Sequence, residues 1–424
     1  MSQTTELNSA PTLPGRAVRG LRLSALLAAV IGLSSCGDDN CCYYVSPPNY
    51  PAYEVSYGLV AGNFNSNGFT SIVQTSTVKS GFAPFPGNLK AYLSTGAGAF
   101  AAPALTSAGD DPLYLATADL NGDLLPDIVS ASYEDGTLSV FFNDAKSPGT
   151  FNAPLVLSSP GASQVAIGDM NGDGLPDLVS ADFNVSLFLQ TSAGTFASPI
   201  PLYTGGANWV AVGDLNGDGI SDVALTDNVG VKVLLHTGAA GTTTYAAPVA
   251  VYTEAANAAF VGANLIAIAD VTKNGLNDLV ITDPGPAGGL APTVSVLLQD
   301  PAHAGQFLAA VSYATAASSL AQSIVVTDVN GDGYPDIIIG GSNAVSVLLQ
   351  DATTPGTFLA ATNYTVQNAN QIAIADVNGD GLLDIVIATG PSHPVVNGVI
   401  TNEPGVLLQS ATAPGTFTAL QALP

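Results

Sequence analysis

A nine-residue acidic segment recurs along the chain, and its period constrains the fold more than any other feature. Residues 169–177 read DMNGDGLPD. Close copies begin at Asp119, Asp214, Asp328 and Asp376. A looser copy begins at Asp270 and a degenerate one at Asn63, so the starts lie 56, 50, 45, 56, 58 and 48 residues apart. A period of this length indicates one supersecondary unit repeated seven times.

The pattern inside one unit, residues 163–205, predicts four short strands. The predicted strands are residues 164–168, 177–181, 185–189 and about 199–203. Short apolar runs bounded by turn residues favour strands over helices. An aromatic residue that closes the turn before the fourth strand is a second landmark, and it also occurs seven times, at Phe100, Phe151, Phe196, Tyr245, Phe307, Phe358 and Phe417.

The two landmarks together predict an all-β fold, a seven-bladed β-propeller of four-stranded blades over residues 53–424. A sandwich or a solenoid is the structural alternative, but a solenoid would need repeats nearer about 20–30 residues. The pattern leaves two ways to close the ring. Residues 418–423 supply the fourth strand of the last blade, or residues 53–58 pair as a clasp between the first and last blades.

The charge of the chain is strongly negative and is concentrated in the repeats. The formal net charge is −25 with only eight Lys and Arg residues, which argues against nucleic acid as a partner, because nucleic-acid binding needs cationic groups that neutralise phosphates. Seventeen of the 33 acidic residues lie inside the repeated segments. Such clustering costs electrostatic repulsion unless a cation offsets it.

The spacing of oxygen-bearing side chains within the segment predicts calcium. In residues 169–177 they fall at positions 1, 3, 5 and 9, with Gly174 at position 6, where the backbone turns sharply. Several hard oxygen donors with flexible geometry suit Ca²⁺ better than Mg²⁺ or Zn²⁺. The segment resembles the start of an EF-hand but carries Ser180 at position 12, so we expect Asp177 to supply the bidentate carboxylate. One copy alone would be explained as a good turn, but five near-complete copies would not.

The sequence therefore predicts about five to six calcium sites. The expected ligands are Asp119, Asn121, Asp123, Asp127, Asp169, Asn171, Asp173, Asp177, Asp214, Asn216, Asp218, Asp222, Asp270, Thr272, Asn274, Asp278, Asp328, Asn330, Asp332, Asp336, Asp376, Asn378, Asp380 and Asp384. Two copies match the calcium-binding pattern less well. One has Leu124 instead of glycine at position 6, and the other has Thr272 and Asn274 in place of the usual ligand residues at positions 3 and 5. The copy at Asn63 has no carboxylate, and we expect its turn to close without metal.

The repeated segment and its flanking apolar strands resemble the FG-GAP (VCBS-type) repeat, the unit of the integrin α-subunit propeller and of many bacterial surface proteins. The resemblance covers about residues 53–424. The FG and GAP sequence motifs that give the family its name are altered here, for example to FAAP at residues 100–103. It implies calcium between the first and second strands of each blade. It also implies that the metal is structural and that partners bind on the opposite face.

The N-terminal segment predicts export and lipid anchoring. Arg16, Arg19 and Arg22 precede an apolar run over residues 23–33 that is too short to span a bilayer. The sequence LSSC at residues 33–36 resembles the lipobox of bacterial lipoproteins, which implies cleavage before Cys36 and acylation of that cysteine. An ordinary signal peptide is the alternative.

The expected domains are a signal peptide over residues 1–35, a lipidated tether over 36–52 and the propeller. The expected location is extracytoplasmic, at the outer membrane or cell surface, with the membrane contacted only through the anchor. Cys41 and Cys42 are adjacent, so a strained ring, a bridge between two molecules and free thiols all stay open.

A partner surface is expected on the face away from the acidic segments, where second-to-third connections emerge. These connections are long in three blades, at residues 76–90, 283–293 and 389–405, and the first and last of these blades are neighbours in a closed ring. The candidate residues are Lys79, Phe82, Phe85, Lys90, Tyr114, Trp209, His393, Asn397 and Asn402. The alternative is equally consistent with the pattern: the long loops are tolerated surface loops without a binding role, and Tyr114 and Trp209 only pack in the core.

These observations favour a binding or adhesion module for an extracellular or periplasmic protein or glycan over an enzyme. The chain has three histidines, His236, His303 and His393, and no arginine after Arg22. We find no nucleophile elbow, zinc spacing or phosphate loop. A polysaccharide lyase and a purely structural subunit are the alternatives.

Overall fold

The computed structural model describes residues 53–79, 85–181, 183–227, 229–253, 265–283, 292–316, 321–389 and 403–423. Every regular element within these ranges is a β-strand, and no helix there is long and apolar enough to cross a membrane. The predicted signal peptide and tether, with Cys36, Cys41 and Cys42, lie outside the described residues.

The strands form seven antiparallel sheets of four or five strands, one for each predicted blade, and two separate two-stranded sheets in the turns of blades 1 and 3. Blade 1 contains β1 (Tyr53–Val55), β2 (Leu59–Gly62), β3 (Ser71–Lys79), β4 (Pro86–Tyr92), β5 (Ser94–Gly96), β6 (Ala99–Phe100) and β7 (Ala104–Asp110). Blade 2 contains β8 (Pro112–Ala118), β9 (Asp127–Ser132), β10 (Thr137–Phe141) and β11 (Leu155–Ser158). Blade 3 contains β12 (Gln164–Gly168), β13 (Asp177–Ala181), β14 (Val185–Phe188), β15 (Gln190–Ser192), β16 (Thr195–Phe196) and β17 (Ile200–Tyr203).

The other four blades have four strands each. Blade 4 contains β18 (Trp209–Gly213), β19 (Asp222–Thr226), β20 (Gly230–Leu234) and β21 (Val249–Thr253). Blade 5 contains β22 (Ile266–Ala269), β23 (Asp278–Asp283), β24 (Thr293–Leu297) and β25 (Val311–Ala314). Blade 6 contains β26 (Ala321–Thr327), β27 (Asp336–Gly341), β28 (Ala344–Leu348) and β29 (Thr362–Thr365). Blade 7 contains β30 (Ala369–Ala375), β31 (Asp384–Thr389), β32 (Gly405–Leu407) and β33 (Gln421–Ala422). The seven-bladed propeller is confirmed.

The position of a strand in its blade explains its composition. First strands contact the first strands of both neighbouring blades and so line the central axis. Small residues are needed where they converge, since a Cβ added at Gly213 would lie 3.0 Å from Ile268 Cγ2 of the next blade. Second strands such as β13 are buried along their whole length because a blade lies on each side of them, and they carry apolar residues on both faces.

The core is divided into seven hydrophobic clusters in the described residues, and each cluster lies between two neighbouring blades. The cluster between blades 7 and 1 includes Leu59 and Ile72 from the first blade and Val386 and Val406 from the last. Apolar burial therefore continues around the complete ring, and no blade buries its apolar residues alone.

The ring closes in the first of the two expected ways. β33 pairs with β32 as the fourth strand of blade 7, so the last blade is completed by its own C-terminal residues. The expected clasp does not form, because β1 pairs with β3 of blade 1. The turn of blade 1 also packs on the acidic segment of blade 7, where a Cβ added at Gly98 would lie 3.6 Å from Asn378 Cα.

Gln371 of β30 links three blades near the axis. Its Oε1 accepts hydrogen bonds from Leu59 N (2.9 Å) and Leu115 N (3.3 Å), and its Nε2 donates to Leu115 O at 2.9 Å. Leu59 belongs to blade 1 and Leu115 to blade 2, so one buried amide joins the two ends of the ring.

We expect Gln371→Ala to lower the free energy of unfolding by about 1–3 kcal/mol, because buried backbone groups of Leu59 and Leu115 lose their partner. Chemical denaturation of the folded chain measures the change. Gln367→Ala, at an exposed position just before the same strand, is the control and should be near neutral. Equal losses for the two variants would contradict a closing role for Gln371.

Candidate metal centres

The acidic segments join the first and second strands of the blades and therefore lie on one face of the propeller. In the segment of blade 3, Asp169 Oδ1 accepts hydrogen bonds from Gly172 N (2.7 Å) and Asp173 N (3.1 Å), while Oδ2 accepts from Gly174 N at 2.8 Å. The loop backbone therefore folds around the carboxylate of the position-1 aspartate, which accepts its N–H groups. Position 6 has a positive φ, which Gly174 adopts at 85°.

Leu124 occupies position 6 in blade 2 and adopts the same left-handed conformation, with φ 68°. Its side chain is 90% exposed, so the substitution strains the backbone without disturbing the core. Asp119 still accepts hydrogen bonds from the loop backbone, including Leu124 N at 2.8 Å. The loop therefore keeps its shape despite the unfavourable residue.

The aspartate at position 9 is fully buried in all six loops that carry one. In blade 3, Asp177 Oδ2 accepts from Met170 N (2.9 Å), and Oδ1 accepts from Gln190 N (2.7 Å) just after the third strand. The same pair of bonds recurs in the other five, at Asp127, Asp222, Asp278, Asp336 and Asp384. The position-9 carboxylate therefore links the loop to the end of the third strand through hydrogen bonds. Its expected second role, as a bidentate metal ligand, stays a prediction.

Burial leaves these carboxylates without a compensating charge. Desolvation raises the pKa of five of these carboxylates to about 6, although backbone hydrogen bonds lower it; the five are Asp127, Asp177, Asp222, Asp278 and Asp336. Repulsion from acidic side chains of the same loop raises the pKa further; for Asp177 these are Asp173 and Asp169. The pKa of Asp384 is raised for the same reasons. A cation held by the loop would remove this penalty.

The donor set fits calcium in its chemistry. In blade 4, Asn216 Nδ2 lies 3.2 Å from Asp218 Oδ2, 3.3 Å from Asp222 Oδ1 and 3.2 Å from the carbonyl oxygen of His236. Two carboxylate oxygens and a carbonyl oxygen thus accept hydrogen bonds from one amide and lie close together on the same side of the loop. In the part of the chain that the structure describes, however, no three acidic, His or Cys side chains are gathered closely enough for a metal ion. Side chains at positions 1, 3 and 5 must turn inward to bind one.

Blade 1 shows how the loop closes without carboxylates. Ser71 replaces the position-9 aspartate, and its Oγ accepts from Ser94 N at 3.0 Å. Asn65 Nδ2 and Asn67 Nδ2 both donate to Ser94 O, at 2.8 and 2.6 Å. The side-chain amides at positions 3 and 5 and the Ser71 hydroxyl thus hold this loop to the end of the third strand.

One set of structural residues was missed by sequence reasoning. A Gln or Asn follows the third strand of five blades, at Asn143, Gln190, Gln299, Gln350 and Gln409. The side chain of Gln409 donates to Leu383 O of its own loop (2.6 Å) and to Val329 O of the preceding loop (2.9 Å). The repeated word VLLQ, at residues 296–299, 347–350 and 406–409, was the available signal.

The expected partner surface is only partly described, and one of its loops was predicted wrongly. Residues 76–90 are mostly strand, because β3 continues to Lys79 and β4 begins at Pro86. Lys79 and Lys90 form ion pairs with Asp111 and Glu54, each at 2.5 Å. Lys79 Nζ also lies 4.1 Å from the centroid of the Phe85 ring. Phe82, His393, Asn397 and Asn402 lie outside the described residues.

Tyr114 and Trp209 meet each other near the axis. Their ring centroids are 5.1 Å apart at an interplanar angle of 85°, although the residues belong to blades 2 and 4. Burial raises the pKa of Tyr114 to about 12. The contact is an edge-to-face packing arrangement between first strands.

Comparison with known proteins follows the repeats and the fold. A family model described as FG-GAP-like repeat matches residues 119–180, 169–225, 270–339 and 328–387, together more than half of the chain. No curated protein matches the sequence.

Among solved structures, the chain is similar to an Agrocybe aegerita lectin that recognises non-reducing terminal N-acetylglucosamine, with a TM-score of 0.50 and 20% identity over 74% of this chain and 80% of that one. It is also similar to the V. cholerae biofilm matrix protein Bap1, with a TM-score of 0.46 and 12% identity over 86% and 89% of the two chains. An exotype rhamnogalacturonan lyase, YesX, gives 0.46 and 14% identity over 81% and 72%. At such low identity these similarities concern the fold alone.

The raised pKa values predict how calcium-free protein responds to pH. Between the ordinary Asp pKa of 3.8 and the folded value of about 6, the folded state holds protons that the unfolded state has released. The free energy of unfolding should therefore fall as the pH rises through this window in the presence of a chelator. Added Ca²⁺ should raise the melting temperature and reverse the trend, because it favours the ionised carboxylates.

Thermal denaturation across this pH range, with chelator and with excess Ca²⁺, measures both effects. Equal melting temperatures in the two conditions near neutral pH would contradict the calcium sites.

Proposed function

The chain belongs to the FG-GAP-like repeat family, and on this premise we propose that it is a calcium-stabilised binding or adhesion module. Its loops at positions 1, 3, 5 and 9 would hold Ca²⁺, which supplies the positive charge that the clustered carboxylates lack. The partner, a glycan or a protein, would bind on the opposite face. The observation that carries this proposal is the set of exposed apolar tips on that face.

Three neighbouring hairpins carry these tips, of which Phe183 and Val229 are exposed and Tyr133 is partly buried. Tyr133, Phe183 and Val229 follow the second strands of blades 2, 3 and 4, which begin at the carboxylate loops and end on the other face. Phe183 and Val229 are 57% and 59% exposed. The Tyr133 and Phe183 rings lie side by side, with centroids 6.4 Å apart. Grouped exposed apolar residues with polar neighbours mark binding sites more often than isolated ones do.

The chemistry of the patch favours a glycan for the first test. Two neighbouring aromatic rings offer flat apolar faces on which the C–H side of a sugar ring can lie. Glu134 and Asp135, both exposed beside Tyr133, offer acceptors for sugar hydroxyl groups.

The two described histidines give little support for a catalytic function. His236 is buried, and His303 pairs with Asp300 at 2.7 Å. Both follow third strands and so lie on the face of the carboxylate loops, away from the aromatic patch.

Anchoring to a bacterial membrane is a separate part of the proposal. Residues 1–35 would direct export, Cys36 would carry the lipid, and residues 36–52 would hold the propeller away from the bilayer. Two or more acyl chains give stable anchoring where one chain gives only reversible binding. A lipid-anchored location at the outer membrane or cell surface is consistent with adhesion.

We expect Phe183→Ala to weaken binding of any ligand identified on a glycan array by at least about tenfold, equal to about 1.4 kcal/mol. Phe69→Ala, at a 40% exposed phenylalanine in the blade 1 loop on the other face, is the matched control and should leave affinity unchanged. Titration calorimetry with the array hit gives both values. A wild-type protein that binds no glycan, or a Phe69→Ala loss equal to that of Phe183→Ala, would reject the glycan-binding face.

For the anchor, we expect Cys36→Ser to move the protein from the membrane fraction to the soluble fraction and to abolish fatty-acid labelling. Cys41→Ser should remain in the membrane fraction and keep its label. Fractionation of cells expressing each variant provides the measurement. Retention of Cys36→Ser in the membrane would show that the anchor lies elsewhere.

A further inference from the structure

On the face away from the carboxylate loops, a carboxylate and an aromatic ring together hold an ammonium group of the chain. Lys79, at the end of β3, has its Nζ 2.5 Å from Asp111 Oδ1. The same Nζ lies 4.1 Å from the centroid of the Phe85 ring. The ring face attracts the cation, and the carboxylate accepts a charge-assisted hydrogen bond from it. Both groups therefore stabilise the same positive charge.

The same combination occurs a second time, at the boundary of blades 3 and 4. Lys232 Nζ forms an ion pair with Asp227, which follows β19, and lies 5.3 Å from the centroid of the Tyr203 ring. The Tyr203 hydroxyl donates to Asp227 Oδ2 at 2.9 Å. Lys79 and Lys232 are thus neutralised within the protein, so neither attracts an anionic ligand to this face.

The tip of blade 2 has the same two kinds of group but no cation of its own. The Tyr133 ring lies beside the Phe183 ring of blade 3, and the exposed Glu134 and Asp135 follow Tyr133 in the same turn. Asp135 Oδ2 accepts a hydrogen bond from Asp110 N at 2.6 Å, which brings a third acidic residue to the tip. Desolvation and repulsion from Asp135 raise the pKa of Asp110. Neither Glu134 nor Asp135 forms an ion pair in the part of the chain that the structure describes.

The other lysines of the propeller are in different places. Lys90 pairs with Glu54 inside blade 1. Lys146 lies in the connection between the third and fourth strands of blade 2, and Lys273 lies in the acidic segment of blade 5. Both of these positions are on the face of the carboxylate loops. No lysine of the propeller is therefore left to neutralise the tip of blade 2.

We propose that the aromatic patch of Tyr133 and Phe183 binds a glycan whose sugars carry free ammonium groups, such as a polymer of de-N-acetylated hexosamine. The inference rests on the glycan-binding function proposed above and names the class of sugar. The C–H face of a sugar lies on the aromatic rings, and its ammonium group meets the carboxylates of Glu134 and Asp135. Anionic glycans are disfavoured, because the chain has a net charge of −25 that repels them.

An amino sugar suits the tip better than a lysine-rich peptide of equal charge. In an amino sugar the ammonium group is attached to the ring itself, so the apolar face and the positive charge are held at a fixed distance. The aromatic rings and the carboxylates of the tip also belong to adjacent residues of one turn and its neighbour. A lysine carries its charge on a flexible stem that loses rotamer freedom when it is bound.

Titration calorimetry with two matched oligosaccharides tests the preference for the ammonium group. We expect a glucosamine tetramer to bind the wild type roughly fivefold more tightly than an N-acetylglucosamine tetramer, because each exposed ammonium group gains a carboxylate and a ring face. The preference should decrease as the salt concentration rises. The double variant Glu134→Gln/Asp135→Asn should lose the preference and keep the affinity for the N-acetylated tetramer.

The substitutions are chosen so that the turn is retained. Both new side chains keep an oxygen, so the hydrogen bond from Asp110 N can still form. Asp351→Asn is the matched control, because it removes one carboxylate from a turn of blade 6 on the face of the carboxylate loops. It should retain the wild-type preference.

The outcomes separate this inference from the function on which it rests. Equal affinity for the two tetramers, with both weakened by Phe183→Ala, would overturn the ammonium preference and leave the glycan-binding face in place. A lysine tetramer that binds as tightly as the glucosamine tetramer and depends on Phe183 and Glu134 would overturn the assignment to a glycan. A wild-type protein that binds no glycan would reject the proposed function and this inference with it.

Discussion

A buried carboxylate at the start of the second strand in six of the seven blades is the interaction on which the architecture depends. Asp177 and its five equivalents accept one hydrogen bond from the loop and one from the end of the third strand. Two elements that are distant in sequence are thereby held at one corner of the blade. The cost is a desolvated negative charge with further aspartates beside it, which is why the same loops supply the oxygens that a cation needs.

The loops also transmit this constraint around the ring. The turn before each fourth strand packs on the loop of the preceding blade: Gly241 N donates to Asn171 O at 2.6 Å, and a Cβ at Gly194 would lie 3.7 Å from Asn121 Cβ. The contact of Gly98 with Asn378 completes the circle. Because each loop supports its neighbour as well as its own blade, a change in one loop is felt at an interface. Stability then depends on nearest-neighbour contacts, as in other repeat proteins.

The sequence alone was sufficient to predict those features of the fold that are local and periodic. The loop spacing and the aromatic landmarks gave the number of blades, and the strands predicted at residues 164–168 and 177–181 are β12 and β13. The failure at residues 76–90 has a physical cause. Thr75, Ser76 and Thr77 are polar yet buried in β3, and Thr75 Oγ1 accepts from Tyr57 N and Gly58 N. Partners of this kind lie far away in the sequence, so polar strand residues resembled a loop. The amide links between blades were missed for the same reason.

The two faces of the propeller are under different constraints, and this separates stability from recognition. On the loop face the buried position-9 carboxylates and the amides after the third strands bond to backbone groups of their own or the preceding blade, so changes at these residues disturb the loop or an interface. The hairpin tips on the other face, such as Phe183 and Val229, contact little and can vary without loss of the fold. His236 and Tyr245 show what a change on the constrained face requires. In blade 4 the amide is replaced by His236, and the hydroxyl of Tyr245 donates the bond to the preceding loop, at Met170 O. The paired change at these two positions leaves both hydrogen bonds of the buried Asp222 in place, so the link between the loop and the third strand of blade 4 is kept.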